Sequence, residues 1–319
     1  MPIKQRLKKR AWWPLLRRSL TLGFILLVAG LLLSLARSIE WAPVLDSLRR
    51  TDGKTLALAA AFAAASHLLY SCFDLLGRAY TQHKIPASQV MAIGQVSYAF
   101  NLNLGALIGG FAFRFRLYSR FGLKRAVTAR ILSLSLVTNW LGYMFLAGCV
   151  FVTRSLDLPT DWAPGAAGLQ LLGGILLMVV AAYLLACAIS RKRSWRVCGA
   201  QLHLPSIKMA ALQLLLSTLN WLLIAGVVFT LLQGKIAFPT VLGVLLSASI
   251  AGVIAHIPAG LGVIEAVFLA FLQGVMPQGQ ILAALLVYRV LYYLGPLALA
   301  IALYLGLEAR AKTREAAAT

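Results

Sequence analysis

Charge is scarce in this chain of 319 residues, and acid scarcer still. Charged residues make up 12%, and only nine are Asp or Glu; soluble domains carry about 25% charged residues. With 61% hydrophobic residues, this composition excludes an ordinary soluble enzyme and a disordered chain. The four cysteines, Cys72, Cys149, Cys187 and Cys198, have no metal-type spacing. The chain also lacks a Walker A run, a Gly-x-Ser-x-Gly elbow and a His-Glu-x-x-His pair. No Asp-rich cluster could hold Mg²⁺, and no second intramembrane Asp forms a dyad. ATP-driven transport by this chain alone, esterase-type hydrolysis and zinc chemistry therefore have no support. The expectation is a protein without a cofactor and without catalytic residues.

What is abundant is apolar sequence. A bilayer core of about 30 Å needs roughly 20 apolar helical residues. Six runs qualify as full spans: 19–36, 55–77, 126–152, 166–190, 207–232 and 280–307. Two further runs are interrupted. Residues 87–113 are broken by Asn101, Asn103, Gly105, Gly109 and Gly110, and 239–276 by His256, Pro258, Gly260 and Gly262. No small-residue cleavage site follows Ala36, so 19–36 is expected to be retained as a first span rather than removed as a signal.

The formal charge of +21 would suggest nucleic acid in a soluble chain. Here its placement points elsewhere. Of 30 Lys and Arg, 23 fall in five clusters: 1–18, 78–84, 114–130, 191–208 and the tail from Arg310. Basic loops of membrane proteins face the cytoplasm. All five clusters share that side only if 87–113 enters and leaves from the cytoplasmic face. The segment is therefore expected to be a re-entrant hairpin, with both termini cytoplasmic. By the same bookkeeping 239–276 is a hairpin from the outer side, crossing fully or not. Non-helical backbone at membrane depth requires burial in protein or a wet cavity.

The order span, cytoplasmic hairpin, span then recurs with opposite orientation as span, external hairpin, span, which is the arrangement of an inverted-repeat transporter. A shift of 151 residues lays Gly109 on Gly260 and Arg114 on Glu265, and a shift of 159 lays Arg130 on Arg289. The expected fold is an all-α polytopic membrane protein of about six full spans plus two re-entrant helical hairpins in an inverted repeat. A basic segment 1–18 precedes a single transmembrane domain, 19–308, and a tail, 309–319, follows it.

Ionisable residues at membrane depth are costly and usually face a cavity or a partner. The candidates are Asp74, Arg114, Arg130, His256, Glu265 and Arg289, with Arg116 just after the first hairpin. Guanidinium forks suit phosphate, half-helix N-termini attract anions, and glycines let backbone approach a ligand. The expected headgroup site comprises Arg114, Arg116, Arg130, Arg289, Asn101, Asn103, Gly109, Gly110, His256, Gly260, Gly262, Glu265 and Tyr292. Glu265 would balance charge or carry a proton. The alternative is structural: asparagines capping half-helices, Arg130 snorkelling, Glu265 as a buried partner to arginine, Arg130 and Arg289 pairing with Glu265 and Asp74, or Asp74 paired with Arg78 one turn later. Tyr292 and Tyr293 precede Gly295-Pro296, an expected kink.

The stretches Tyr98–Tyr118, Asn139–Tyr143, Ser249–Phe268 with its His-Ile-Pro-Ala-Gly-Leu-Gly-Val-Ile-Glu run, and Tyr288–Pro296 resemble one family. It is the lysylphosphatidylglycerol synthase transmembrane-region family, the flippase part of MprF-type proteins. The resemblance implies a bacterial inner-membrane protein with a flippase-like fold. MprF-type members move an aminoacylated phospholipid between leaflets and also carry a soluble domain that makes it. That domain is not in this sequence, so lysyl transfer is not expected of it. The leading expectation is a phospholipid transporter without its own ATPase. The second is a scaffold for envelope-lipid proteins, and the weakest is an enzyme using His256 as base. Expected partners are phospholipid and membrane, with a homo-oligomer or envelope-lipid proteins left open, and no nucleic acid.

Overall fold

In the computed structural model, the described residues are 51–155, 165–190, 194–197, 200–255, 257–272 and 274–318, together with Asp46 and Arg49. The segment 1–18, the run 19–36 and His256 lie outside them. Among the described residues, six helices are long and apolar enough to cross a bilayer: Gly53–Thr81, Arg125–Val152, Gly165–Ile189, Ile207–Leu231, Phe238–Ala255 and Gln278–Leu307. Five match expected spans, and the sixth is the first arm of the second interrupted run. The protein is an all-α polytopic membrane protein.

Helix α1 (Gly53–Thr81) ends at Gln82 in a left-handed conformation. After a short turn Pro86 starts α2 (Ala87–Leu104), where its missing N–H costs nothing. Gly105 then stops the helix with φ 82° and ψ 168°, a backbone state that side chains with a Cβ avoid. A π-helical segment, Ala106–Ala112, leads into α3 (Phe113–Arg120). The chain doubles back here. Gly109 lies so close to the Phe100 backbone that no Cβ would fit, and the Phe100 and Phe113 rings stack at 4.0 Å. At the open end Ile85 and Tyr118 share one apolar cluster, and the Ile85 carbonyl accepts a 2.7 Å bond from Arg78 Nε. Both ends of this hairpin therefore sit at the C-terminal end of α1, and its return arm runs on to Arg120, past the expected limit of 113.

Helix α4 (Arg125–Val152) follows, then α5 (Gly165–Ile189). Gly148 and Gly173 let these two helices approach closely, as membrane helices do through small residues. The other face of α5 exposes Leu171, Met178 and Ile189, the signature of a lipid-facing helix. A two-stranded antiparallel ribbon, β1 (Ser194–Val197) with β2 (Ala200–His203), occupies the basic loop, pairing Ser194 with His203 and Val197 with Ala200. No periodicity announced it.

Helix α6 (Ile207–Leu231) is capped by Ser206, whose Oγ accepts from the Met209 N–H at 3.3 Å. The second hairpin is α7 (Phe238–Ala255), a single turn at Pro258–Gly260, and α8 (Val263–Leu272). Its ten-residue return arm is about 15 Å long, shorter than the first arm. Helix α9 (Gln278–Arg289), a π-helical turn (Val290–Leu294) and α10 (Gly295–Ala318) complete the chain. The helix thus continues through the segment expected as a tail. Lys235 Nζ donates to Gln280 Oε1 at 2.9 Å, tying together the two ends of the second hairpin.

The packing has an exchange pattern. Helices α1 and α6 lie against each other. The first arm of hairpin one packs on α10, while that of hairpin two packs on α4. Helix α2 also touches the Pro258–Gly260 turn, so the tip of one hairpin meets the other hairpin's first arm inside the protein. Gly142 of α4 rests directly on Ser217 of α6.

Candidate functional site

Three buried polar constellations lie where the hairpins meet the long helices. The first is an ion pair on hairpin one. Asp74, fully buried, accepts from Arg114 Nη2 at 2.8 Å, Arg114 Nε at 3.2 Å and the Tyr118 hydroxyl at 3.0 Å. Arg114 Nη2 also donates to Ser135 Oγ of α4 at 3.2 Å. This corrects the expected Asp74–Arg78 pair. Arg78 is only one turn away in sequence, yet the folded-back arm brings a better fork to the carboxylate.

The second ion pair is on hairpin two. Arg289 donates Nε and Nη2 to the two oxygens of Glu265, the latter bond at 2.9 Å. It also donates Nη1 to the Ala259 carbonyl and Nη2 to the Gly260 carbonyl, each at 3.1 Å. Those carbonyls are turned toward it because Ala259 and Gly260 both adopt φ 56°. A single guanidinium thus holds the broken turn and its return arm. In both pairs the fork geometry is bidentate, the strong form for arginine and carboxylate.

The third is a hydrogen-bonded cluster at the centre. Pro296 has no N–H, so the Tyr292 carbonyl, four residues earlier, loses its α-helical partner. The local π turn, with Gly295 N–H reaching the Val290 carbonyl, absorbs the irregularity. His67 Nε2 takes up the freed Tyr292 carbonyl at 3.0 Å. Asn103 Nδ2 reaches the Tyr293 carbonyl at 3.3 Å and the Ala99 carbonyl at 2.8 Å. Neighbouring side chains thereby satisfy a kinked helix, as membrane interiors require. The Tyr292 hydroxyl bonds the Tyr98 hydroxyl at 2.7 Å and Ser66 Oγ at 2.8 Å, and Ser66 donates to Asn220 Oδ1 at 2.8 Å. Among the described residues, Asn220 Nδ2 has no hydrogen-bond partner although the residue is fully buried.

Of the expected site residues, Asn101, Asn103, Gly109 and Gly110 form the tip of hairpin one, with Asn101 lining Gly110. Gly260, Gly262 and Glu265 form that of hairpin two, Gly262 with φ 76°. Arg114, Arg289 and Tyr292 are buried. Arg130 and Arg116 are exposed, and Arg116 lies over the Tyr304 ring at 5.9 Å. Arg130 is therefore at the rim, not among the buried charges. His67, Gln95, Tyr98 and Ser66 escaped the sequence reading. Their signal was the polar stripe Ser66, His67, Tyr70, Ser71 and Asp74, at helical spacing within the run 55–77.

Two cavities flank these constellations. One of about 480 Å³ lies at the base of hairpin two, lined by Gln233, Lys235, Met276, Gln280 and Val287 among others. The other, about 440 Å³, lies at the base of hairpin one against Phe115, Arg116, Ser119 and Arg125.

The chain is 45% identical to the inner membrane protein YbhN of Escherichia coli strain K12 over 306 residues, covering 96% of each. It is 31% identical to an uncharacterized protein of Synechocystis, slr0712, over 81% of this chain and 80% of that one. It is 25% identical over 88% of its length to a phosphatidylglycerol lysyltransferase of Staphylococcus haemolyticus, of which the match covers 32%. The family described as the lysylphosphatidylglycerol synthase TM region matches residues 20–300. By that match, spanning nearly all of the sequence, the chain belongs to the lysylphosphatidylglycerol synthase TM-region family.

Proposed function

We propose that this protein is a phospholipid transporter of flippase type in the bacterial inner membrane. One observation carries the reading. Two helical hairpins, based at opposite ends of the helix bundle, converge on a buried polar cluster. Broken helices meeting near the midplane are how secondary transporters build a substrate site. The exchange of packing partners between the two halves supports an inverted repeat: α1, hairpin one and α4 against α6, hairpin two and α9–α10. The basic clusters orient hairpin one toward the cytoplasm and hairpin two outward. The inner-membrane assignment draws on the likeness to YbhN.

The arrangement corresponds to a closed state. The two cavities lie at opposite bases, with the polar cluster between them. Arg116 and Arg125 line the cytoplasmic one, and their guanidinium groups suit a phosphate headgroup. Arg114 and Arg289 are occupied by carboxylates in this state. On opening, a lipid phosphate replaces the carboxylate, because both present oxygens to the same fork. The open amide of Asn220 donates to headgroup oxygens. Alternating access follows from rocking one repeat against the other.

The test is purified protein in vesicles carrying fluorescent phosphatidylglycerol, with the outer leaflet quenched chemically. Protein-containing vesicles should lose the protected fraction, and Arg289→Gln should slow that loss. Equal protection in empty and protein-containing vesicles refutes the proposal.

A further inference from the structure

Among the described residues His67 has no ion-pair partner, and it sits at the junction of three elements. It lies on α1, contacts Gln95 of hairpin one and holds the π turn of the last span. The hydrogen bonds define its state. A carbonyl only accepts, so Nε2 carries a proton and donates to Tyr292. Gln95 Nε2 donates to Nδ1 at 3.1 Å, so Nδ1 presents its lone pair and the ring is neutral. The single hydroxyl hydrogen of Ser71 points to the His67 carbonyl at 2.9 Å and is shared with Gln95 Oε1 at 3.3 Å.

We infer that His67 is a proton-binding site whose occupancy biases hairpin one, making protons the coupling ion; the coupling step rests on the transport proposal. A proton from water adds to the Nδ1 lone pair. The Gln95 amide then rotates half a turn. Its Oε1 accepts the new Nδ1–H, and its Nε2 donates to Ser71 Oγ, which keeps its own bond to the His67 carbonyl. Neither state sets two donors or two acceptors face to face, so the relay Ser71–Gln95–His67 tolerates either charge. A bound proton nevertheless places a cation among apolar and aromatic neighbours, at a cost unless water reaches it. Protonation therefore favours the arrangement with hairpin one swung away, and deprotonation favours closure.

No carboxylate supplied by the neighbouring elements cancels this effect. The titratable faces toward His67 are the tyrosine rings of Tyr98 on α2, at 5.0 Å, and Tyr292, at 4.8 Å. Tyr288 stacks on Tyr292, and Tyr293 is also in contact with it. On α1, Tyr70 stacks on Tyr98, and Asp74, two turns on, is bound to Arg114. On α4, Tyr143 donates to the Leu246 carbonyl at 3.0 Å. Helix α6 carries only Lys208, in its first turn. The Glu265 carboxylate beyond the π turn is bound to Arg289.

Two measurements test this on the full chain. The first is ¹⁵N NMR of histidine-labelled protein, with the His67 signals identified by their loss in His67→Gln. The ring should be the neutral Nε2–H form near pH 8.5 and doubly protonated near pH 4.5. Signals unchanged across that range overturn the proton site whatever the transport result. The second is the vesicle assay across pH. Wild-type flipping should rise about tenfold per pH unit of protonation at most, and Gln95→Met, which removes the relay but keeps the ring, should flatten the profile. A wild-type pH response retained in both His67→Gln and Gln95→Met overturns the coupling. Titration of His67 without lipid movement at any pH supports the proton site and refutes the transport proposal instead.

Discussion

Removing the charge of Asp74 is the sharpest test of what the buried pairs do. Asp74 is fully buried and accepts three donors, two from Arg114 and one from Tyr118. Asp74→Asn keeps the shape but leaves the Arg114 guanidinium uncompensated, with Ser135 as its remaining anchor. Breaking a buried ion pair from one side costs about 3–5 kcal/mol. Replacing both partners by apolar residues of similar volume, Asp74→Leu with Arg114→Met, removes the stranded charge and should cost roughly 1–2 kcal/mol, chiefly for the orphaned Tyr118 hydroxyl. The double-mutant coupling should therefore be about 3 kcal/mol or more. The assay is reversible unfolding of the purified protein in mixed micelles, comparing wild type, both single variants and the double variant. Additive losses, or single losses below about 1 kcal/mol, would mean that the pair is solvated and that hairpin one is not held by it. The same variants separate anchor from substrate ligand. If Arg114 bound phosphate without being pinned, Asp74→Asn would leave stability untouched.

Four further outcomes are expected. Gly109→Ala should lose about 1–3 kcal/mol in the same unfolding assay, because the new Cβ overlaps the Phe100 backbone. Gly174→Ala, which faces open space, should gain up to about 1 kcal/mol. Pro296→Ala returns an N–H to the Tyr292 carbonyl and makes His67 redundant there. Stability should hold within about 1 kcal/mol while flipping slows, and an unchanged rate would show that the kink is dispensable. In a chain with its native cysteines replaced, an impermeant maleimide outside intact cells should label Ala237→Cys at the base of hairpin two and spare Lys124→Cys after hairpin one. The reverse pattern would invert the orientation.

The spans were legible because hydrophobic length is a property of the sequence alone, and 126–152 differs from the observed helix by one residue. The breaks within 87–113 and 239–276 were legible from Gly105 and the Pro258-Ala-Gly turn, where only special backbone states fit. The individual charges Arg114, Glu265 and Arg289 stood out because charge is expensive in an apolar run. The pairing of Arg289 with Glu265 is among those the sequence allows, whereas that of Arg114 with Asp74 is not. Local spacing offered Arg78 for Asp74, and only the folded-back arm could supply Arg114, 40 residues later. His67 was missed although it lies in a plain apolar run. Its partner is a carbonyl freed by Pro296, more than 200 residues away. Pro296 marks a kink in the sequence, but the side chain that satisfies the freed carbonyl is set by the packing of α1 against the last span.

The two ion pairs follow one plan with the signs exchanged. On hairpin one the return arm brings the arginine and the preceding long helix the carboxylate. On hairpin two the return arm brings the carboxylate and the following long helix the arginine. Two arginines on the tips would repel each other where the hairpins meet, and two carboxylates would do the same. Opposite signs on the two return arms avoid this, and each pair sums to zero. In the proposed transport cycle, opening one hairpin therefore requires new counter-ions for both members of its pair. For hairpin two the freed cation is Arg289 on a fixed long helix, and an anionic headgroup satisfies it. For hairpin one the fixed charge is the carboxylate of Asp74, and an incoming proton or an aminated headgroup satisfies that instead. A lipid with a phosphate and an amine matches both halves at once, so vesicles should move such a zwitterionic lipid at least as fast as phosphatidylglycerol.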